Sequence, residues 1–210
     1  MLTREQFELE LVRRQTPEVR NRLREGCVAV AGLGGLGSNI ALMLARTGIK
    51  KLFLADFDTV DPSNLNRQAY TVSQMGMKKT DALQELIRQV NPWIELETFD
   101  GRVTEENVGT LFKPYMIICE AFDTPESKAV LVSGVLSKLP EAFVISGNGM
   151  AGSYSSNLIR TDKKMERLYV CGDGIHGISE TESLTAARVS ICAGHEANMA
   201  IRLILGEKEV

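Results

Sequence analysis

Two features between positions 27 and 56 have the residue types and spacing of a nucleotide site. The apolar stretch Cys27–Ala31 runs into the glycine-rich stretch Gly32-Leu33-Gly34-Gly35-Leu36-Gly37. Backbone amides at such a turn, and at the N-terminus of the helix that follows, bind phosphate, and glycine allows a close approach. Nineteen residues after Gly37 comes Asp56, an acid placed to accept hydrogen bonds from ribose hydroxyls. This order predicts a bound nucleotide, although a glycine turn alone would also suit a structural loop.

A polar cluster directly after Asp56 indicates that the phosphates of this ligand are reacted upon as well as held. It contains Asp58, Asp61 and the segment Asn64-Leu65-Asn66-Arg67-Gln68. An arginine can grip two phosphate oxygens at once, and Arg67 is the residue expected to do so. Lys79 begins a predicted helix whose N-terminal amides would face the same crevice. A cation there would stabilise charge that builds up on departing phosphates.

Asp123 is the residue expected to bind a metal ion. It follows the apolar segment 115–119, at the carboxyl end of a predicted strand. Its carboxylate could hold Mg²⁺ against the phosphates. The alternative is an N-cap or turn acid before Pro125, and the sequence leaves both open.

An alternating series of strands and helices must position these residues. Strands are predicted over 27–31, 51–55, 94–99, 115–119 and 143–146, and helices over 36–46, 77–90, 105–112 and 125–138. This rhythm predicts an α/β fold: a Rossmann-like, doubly wound, mostly parallel sheet with helices on both faces. The carboxyl ends of parallel strands share one edge, where such sheets bind their ligands.

The pattern predicts a single domain over residues 1–210, in three parts. Residues 1–25 form a charged helical segment broken at Pro17, residues 26–149 a nucleotide-binding core, and residues 150–210 a region of different pattern. In the last part we expect a strand over 154–160, a long loop over 161–187 and a closing helix over 189–205.

Cys171 lies in the predicted loop and is the candidate nucleophile. A reactive thiol would need exposure and a lowered pKa, and His176, five residues further on, could assist a thiolate there. The competing interpretation, which we favour, is a half-buried structural thiol. Cys192 and His195 fall in the closing helix and are expected to pack.

Composition argues against several classes of function. The net charge is −3 and no long block carries one sign, so we expect neither nucleic-acid binding nor an electrostatic membrane anchor. No apolar run approaches the length of a membrane span, and the charged N-terminus does not resemble a signal peptide. The four cysteines form no Cys-x-x-Cys pair, so we expect no zinc site and a reducing, cytoplasmic setting.

Taken together, the motifs resemble the ThiF/MoeB/HesA family of ubiquitin-activating-type adenylyltransferases. They are the glycine turn, Asp56-x-Asp58, Asn64-Leu65-x-Arg67-Gln68, Gly76-x-x-Lys79, Asn91-Pro92 and Glu120-x-x-Asp123. The resemblance is dense from Arg14 to about Gly149 and returns in the last helix. Within the family the chain looks most like a short ThiF-type sulfur carrier protein adenylyltransferase.

The resemblance implies a reaction, a partner and a set of site residues. The protein would use ATP and Mg²⁺ to adenylylate the C-terminal glycine of a small ubiquitin-like sulfur carrier protein ending in Gly-Gly, releasing pyrophosphate, for synthesis of the thiamine thiazole. Residues 150–210 would face the carrier. Arg14 matches an arginine that family members insert into the partner protomer's active site, which implies a homodimer. The implied catalytic residues are Arg14, Arg67, Lys79, Asp123 and Cys171. The implied nucleotide-binding residues are Gly32, Gly34, Gly35, Gly37, Asp56, Asp58, Asn64, Arg67, Gln68, Lys79, Asp123 and Thr124.

Several departures from the family pattern surround the expected metal site. Glu120 stands where the family often has Asp, Thr124 stands at an Asn position, and Lys128 stands at an Arg position. The paired cysteines that hold structural zinc in many members are missing.

Three other functions fit parts of the sequence. The same chemistry could act on a different substrate, such as a molybdopterin carrier, a peptide or a modified tRNA base. An NAD-dependent oxidoreductase would use the glycine turn and Asp56 but would leave Arg67, Lys79 and Asp123 without roles. A nucleotide-binding scaffold without turnover is compatible with Thr124 and Lys128.

Overall fold

The computed structural model describes residues 2–177 and 182–210 and contains one seven-stranded sheet. The strands are β1 (Cys27–Ala31), β2 (Lys51–Asp56), β3 (Glu95–Asp100), β4 (Ile117–Glu120), β5 (Phe143–Gly147), β6 (Arg160–Met165) and β7 (Leu168–Gly172). The helices are α1 (Arg4–Gln15), α2 (Pro17–Leu23), α3 (Gly35–Thr47), α4 (Lys79–Val90), α5 (Val108–Phe112), α6 (Pro125–Lys138) and α7 (Ala186–Ile204).

The order of the strands across the sheet is β3-β2-β1-β4-β5-β7-β6. All neighbouring pairs are parallel except β6 with β7, which is antiparallel. The chain winds outward from β1 in one direction through β2 and β3, and in the other through β4 and β5. The predicted Rossmann-like, mostly parallel α/β sheet is confirmed.

Two apolar clusters cover the two faces of the sheet because successive side chains of a strand point to opposite sides. In β1, Val28 and Val30 belong to the cluster that includes α3, α4 and α7. Ala29 and Ala31 belong to the cluster that includes α5 and α6. The central strands are buried on both faces, which explains why they are continuous apolar runs in the sequence.

The glycine turn between β1 and α3 is required by backbone geometry. Gly32 has φ +88°, and a Cβ atom there would lie 2.7 Å from the Ala121 backbone. A Cβ atom on Gly37 would lie 1.8 Å from the Gly32 carbonyl oxygen. Gly37 therefore provides close contact between helix and strand.

The N-terminal segment has the predicted break. Thr3 caps α1, and α2 begins at Pro17 after Thr16, whose φ is +68°. Pro17 lacks the amide proton that would continue α1, so the chain restarts as a second helix. No residue of α1 is buried.

The prediction for residues 154–187 is wrong in two respects. The expected strand over 154–160 is instead a 3-10 turn, Ser156–Leu158, and the expected loop over 161–187 contains β6 and β7. Strand β6 lies at the sheet edge and is largely exposed, so its sequence is polar and lacks the apolar signal of a buried strand. The remainder of the predicted loop includes residues 178–181, which lie outside the described residues. Among the helices of the described chain, none has the length and apolarity needed to cross a membrane.

Candidate nucleotide site

A cavity of about 680 Å³ opens at the carboxyl edge of the sheet. It spans the ends of β2, β1, β4 and β5, and its volume falls in the usual range for small-molecule sites. The structure brings together ten of the residues predicted from sequence along its walls: Gly32, Gly34, Gly35, Asp56, Asp58, Arg67, Gln68, Lys79, Asp123 and Thr124.

The glycine turn leaves open space that fits a phosphate. A Cβ atom placed on Gly34 would meet only the Gln68 amide nitrogen, at 3.9 Å. Helix α3 begins immediately after it with no side-chain cap. Its first backbone amides are therefore available to an anion, as the nucleotide interpretation requires.

Asp56 is held in place by backbone amides at the base of the cavity. Its Oδ2 atom accepts a hydrogen bond from Leu33 N at 2.6 Å, and its Oδ1 atom accepts one from Asp58 N at 2.8 Å. Each carboxylate oxygen can accept a further bond, so Asp56 can still receive two ribose hydroxyls.

Lys79 and Arg67 supply positive charge beside the turn. The Lys79 side chain is buried, and its Nζ atom lies 2.9 Å from Asp58 Oδ2. Arg67 uses one nitrogen, Nη1, to reach Ser63 O at 2.9 Å and Asn66 Oδ1 at 2.8 Å. Within the described residues its other guanidinium N–H groups have no protein partner, so they can reach a phosphate.

Gln68 and Asn64 differ in what they offer. Gln68 is buried, and its Oε1 atom has no hydrogen-bond partner among the described residues. Asn64 does not line the cavity. Its Oδ1 atom accepts a hydrogen bond from Asp61 N at 3.1 Å and so stabilises the turn before Arg67. The structure thus shows a capping role for Asn64, and phosphate contact by this residue stays a prediction.

Asp123 is an exposed cavity residue, and the N-cap of α6 is Thr124. Thr124 Oγ1 accepts a hydrogen bond from Ser127 N at 3.3 Å. In the part of the chain that the structure describes, the Asp123 carboxylate makes no hydrogen bond or ion pair. A free carboxylate facing a phosphate site fits Mg²⁺, which commonly takes one or two protein carboxylates together with phosphate oxygens. No cluster of three or more potential metal-binding side chains is found among the described residues.

Glu120 and Lys128, which depart from the family pattern, are partners. The fully buried Glu120 carboxylate lies 2.9 Å from Lys128 Nζ and also accepts hydrogen bonds from Ser146 Oγ at 2.5 Å and Phe122 N at 2.8 Å. Lys128 Nζ donates to Gly147 O at 2.9 Å as well and lines the cavity. Sequence analysis noted both positions but missed their pairing. The two residues are eight positions apart, one in β4 and the other in α6. Nothing in the sequence indicates that their side chains meet before these two elements are packed together.

A second missed feature is the wall beside Asp56. Arg102 lies over the ring of Phe57, with its guanidinium carbon 3.9 Å from the ring centroid. Both residues line the cavity. Arg102 follows β3 and lies next to the residues that follow β2, because β3 and β2 are neighbours in the sheet. The order of the strands, and not the sequence, reveals this contact.

Four predicted residues lie away from the cavity walls: Arg14, Gly37, Asn64 and Cys171. Gly37 lies beneath the turn, in contact with Gly32. Arg14 is exposed on α1, whose last residue, Gln15, reaches the Thr47 carbonyl at the far end of α3. The catalytic role of Arg14 stays a prediction, since it requires a partner protomer.

Cys171 does not lie in a loop. It is a fully buried residue of β7, and this burial raises its pKa. Its Sγ atom is 3.4 Å from Thr161 Oγ1, which in turn is 3.0 Å from His195 Nδ1. His176 pairs instead with Asp173, through Nδ1 and Oδ2 at 2.7 Å. The predicted loop position of Cys171 is thus wrong, and its burial agrees with the favoured interpretation of a structural thiol. Any reactivity would require β7 to open.

Glu196, on α7, is a buried acid that sequence analysis missed. It is fully buried, and neither carboxylate oxygen has a hydrogen-bond partner among the described residues. Burial raises its pKa, and the nearby Glu120 charge adds to this while Lys128 opposes it. It lies directly behind the cavity wall, because a Cβ atom on Gly147 would be 2.6 Å from Glu196 Oε1.

Among solved structures, the fold is similar to that of the E. coli tRNA N6-threonylcarbamoyladenosine dehydratase TcdA, determined in complex with AMP. The TM-score is 0.87 and the identity 19%, with 98% of each chain covered. At this identity the likeness establishes the fold and not the substrate.

Among curated proteins, the chain is 30% identical to the adenylyltransferase and sulfurtransferase MOCS3 of Anopheles gambiae over 200 residues. That match covers 90% of this chain and 44% of the relative, so the chain spans less than half of its length. It is 46% identical over 83 residues to ubiquitin-like modifier-activating enzyme 5 of Arabidopsis thaliana, covering 40% of this chain and 19% of that protein. Residues 5–210 match the ThiF family, and the chain belongs to that family.

Proposed function

We propose that this protein transfers the AMP moiety of ATP to the C-terminal carboxylate of a small ubiquitin-like carrier protein. Pyrophosphate leaves, and an acyl-adenylate remains on the carrier. The more specific form of the proposal is a ThiS-like carrier ending in Gly-Gly that serves thiamine thiazole synthesis in the cytoplasm. The same chemistry on a molybdopterin carrier, a peptide or a modified tRNA base fits the family equally well.

The observation that carries the proposal is the convergence of Arg67, Lys79 and Asp123 on the open glycine turn. All three line the cavity that also contains Asp56. A dehydrogenase would need the turn and the acid only. Two cations and a free carboxylate beside the phosphate position favour a reaction at phosphorus.

The residues of this chain would act mainly by position and charge. The amides at the start of α3 would bind phosphate oxygens, and Asp56 would hold the ribose. Arg67 and Lys79 would stabilise the charge that develops on pyrophosphate as it leaves. The carrier carboxylate is itself the nucleophile, so no general base is required for this step.

Asp123 would hold Mg²⁺, which neutralises phosphate charge when bound. Thr124 caps α6 and thereby leaves the Asp123 side chain free for this role.

A homodimer is part of the proposal. Arg14 lies on a helix without buried residues and does not reach the cavity of its own chain. In a dimer it would enter the cavity of the partner. Sedimentation of the purified protein tests the dimer, and mixing inactive Arg14→Ala and Arg67→Ala chains tests the sharing of the site, because mixed dimers would regain activity.

The central experiment is ATP–pyrophosphate exchange in the presence of candidate carriers, with mass spectrometry to detect the added AMP. Arg67→Ala should abolish exchange while thermal unfolding stays unchanged, since the side-chain hydrogen bonds of Arg67 to described residues reach only Ser63 and Asn66, in its own turn. Arg160→Ala, which removes an exposed arginine of β6, is the matched control. Full exchange by a well-folded Arg67→Ala protein would refute the assigned role, and a change in NADH absorbance without exchange would favour an oxidoreductase.

A further inference from the structure

We propose that the Tyr70 hydroxyl group holds the peptide between Leu33 and Gly34 in the orientation that binds phosphate, which makes Tyr70 a positioning residue for the nucleotide. Tyr70 is not among the described residues that line the cavity, so it acts through the backbone of the glycine turn and not by contact with the ligand. The inference rests on the nucleotide-binding part of the proposed function and does not depend on which acceptor receives the AMP.

Tyr70 makes one hydrogen bond to the glycine turn. It is buried, and its ring belongs to the apolar cluster that includes α3 and α4. Its hydroxyl group donates to the Leu33 carbonyl oxygen at 2.8 Å, whereas the Lys79 carbonyl oxygen lies 3.5 Å away. The hydroxyl group has one proton, which the nearer oxygen receives. Burial raises the pKa of Tyr70, and the charges of Asp56 and Asp58 add to this, so the phenol stays protonated and can always donate.

The bond to Leu33 fixes the direction of the neighbouring Gly34 N–H group. The Leu33 carbonyl and the Gly34 amide belong to one planar trans peptide unit, in which C=O and N–H point in opposite directions. The Leu33 carbonyl is directed to the buried Tyr70, and Gly34 lines the cavity. Within the described residues the Gly34 N–H has no hydrogen-bond partner, so it is available to a phosphate oxygen.

The peptides on either side of this one are held by other side chains. The Leu33 N–H donates to Asp56 Oδ2 at 2.6 Å, and the Gly34 carbonyl accepts bonds from Ser38 N at 3.1 Å and from Ser38 Oγ at 2.7 Å. In the described part of the chain, Tyr70 is the only donor to the Leu33 carbonyl. Because Gly34 has no Cβ atom, this peptide could rotate at little steric cost without that bond. A rotated peptide would turn its carbonyl oxygen toward the phosphate and repel it.

The competing explanation is that Tyr70 only stabilises the fold. Loss of its hydroxyl group would then lower the free energy of unfolding and leave the affinity for nucleotides unchanged. A positioning role predicts, in addition, a loss of affinity that is confined to ligands with phosphate groups. Adenosine, which has no phosphate and would bind through its ribose at Asp56, distinguishes the two explanations.

The experiment compares Tyr70→Phe with the unmodified protein by calorimetric titration of ATP and of adenosine. The dissociation constant for ATP should rise at least about tenfold, which corresponds to about 1.4 kcal/mol, whereas that for adenosine should change less than about twofold. Tyr169→Phe is the matched control. Tyr169 is also buried, and its hydroxyl group also donates to a backbone carbonyl, that of Lys208, at 2.8 Å. This variant should lose stability but keep both affinities.

Nuclear magnetic resonance of the unmodified protein, with isotopically labelled glycine, covers the case in which Tyr70→Phe does not fold. ATP should shift the Gly34 amide resonance and protect this amide from hydrogen exchange, and adenosine should do neither. An unmoved Gly34 amide, an unchanged ATP affinity in Tyr70→Phe, or equal losses of affinity for ATP and adenosine would overturn the role of Tyr70.

Failure of the proposed function gives a different result. ATP binding by the unmodified protein without pyrophosphate exchange would reject AMP transfer and leave the role of Tyr70 in place, because that role is measured by binding. Absence of ATP binding by the unmodified protein would reject both.

Discussion

The substitution Glu196→Gln should remove a pH dependence of stability that the native protein carries. Glu196 is fully buried and neither of its oxygens is hydrogen-bonded within the described residues. Burial therefore raises its pKa in the folded state. In the unfolded chain the same carboxyl group has an ordinary pKa of about 4.3.

The sign and size of the effect follow from proton linkage. Above the unfolded pKa and below the folded one, the native state binds one proton more than the unfolded state. The free energy of unfolding must then fall as pH rises, by about 1.4 kcal/mol per pH unit. Above about pH 5.5, where the unfolded carboxyl group is ionised, the native protein should lose stability relative to Glu196→Gln at this slope until the pH reaches the folded pKa. A domain of this size is stable by about 5–15 kcal/mol, so the loss is measurable.

Other titratable groups face Glu196, and their contributions to the pH dependence of stability must be the same in the native protein and in Glu196→Gln. They are Cys119 and Glu120 on β4, Lys128 on α6, Cys171 on β7 and Cys192 on α7. Burial raises the pKa of each of the three thiols, so they stay protonated in both states below about pH 8. The buried amide of the glutamine changes the free energy of unfolding by an amount that does not depend on pH. The comparison therefore uses the slopes of the two stability curves against pH and not the difference in their height.

Urea unfolding at several pH values measures this slope for both proteins. Glu97→Gln is the control: hydrogen bonds from Lys51 and Tyr115 lower the Glu97 pKa, so this acid is ionised in both states across the same range. Its removal should leave the downward slope in place. Parallel curves for the native protein and Glu196→Gln would refute the reasoning, because they would mean that Glu196 is ionised in the folded state.

Two further predictions concern the glycine turn and the buried thiol. Gly37→Ala should destabilise the fold by several kcal/mol, measured by chemical denaturation, because its Cβ atom would lie 1.8 Å from the Gly32 carbonyl oxygen. Gly34→Ala should fold normally but bind ATP more weakly, which ATP titration will show. Normal stability of Gly37→Ala would contradict the packing role. Native Cys171 should react with iodoacetamide far more slowly than the half-buried Cys27, and Cys171→Ala should retain pyrophosphate exchange. Rapid labelling of Cys171, or loss of exchange, would restore it as a nucleophile.

Much of the fold was predictable because the information is local. The apolar strands β1, β2, β4 and β5 are buried on both faces, and such strands are continuous hydrophobic runs in any sequence. The break at Pro17 follows from the missing amide proton. The glycine turn follows from the φ of Gly32 and from the contact at Gly37, neither of which another residue can accommodate easily. Strand β6 escaped prediction because an exposed edge strand has no apolar periodicity.

The residues predicted to contact the nucleotide could be identified from the sequence for the same reason. The glycine turn, Asp56, Arg67 and Lys79 lie at fixed spacings around neighbouring strands, so the βαβ topology brings them together. Thr124 and Asp123 are adjacent, and only the structure decided which of them caps α6.

By itself, the sequence determined the fold class, the family and the edge of the sheet at which the predicted site residues meet, because these depend on backbone geometry and on residues close together in the chain. The tertiary structure alone decided the pairing of Glu120 with Lys128, the burial of Cys171 and the placement of Glu196 behind Gly147. Each of these depends on packing between β4, β5, β7, α6 and α7, and a side chain's burial and charge environment are properties of that packing. The burial and charge environment of these side chains cannot be read from the spacing of residues along the chain.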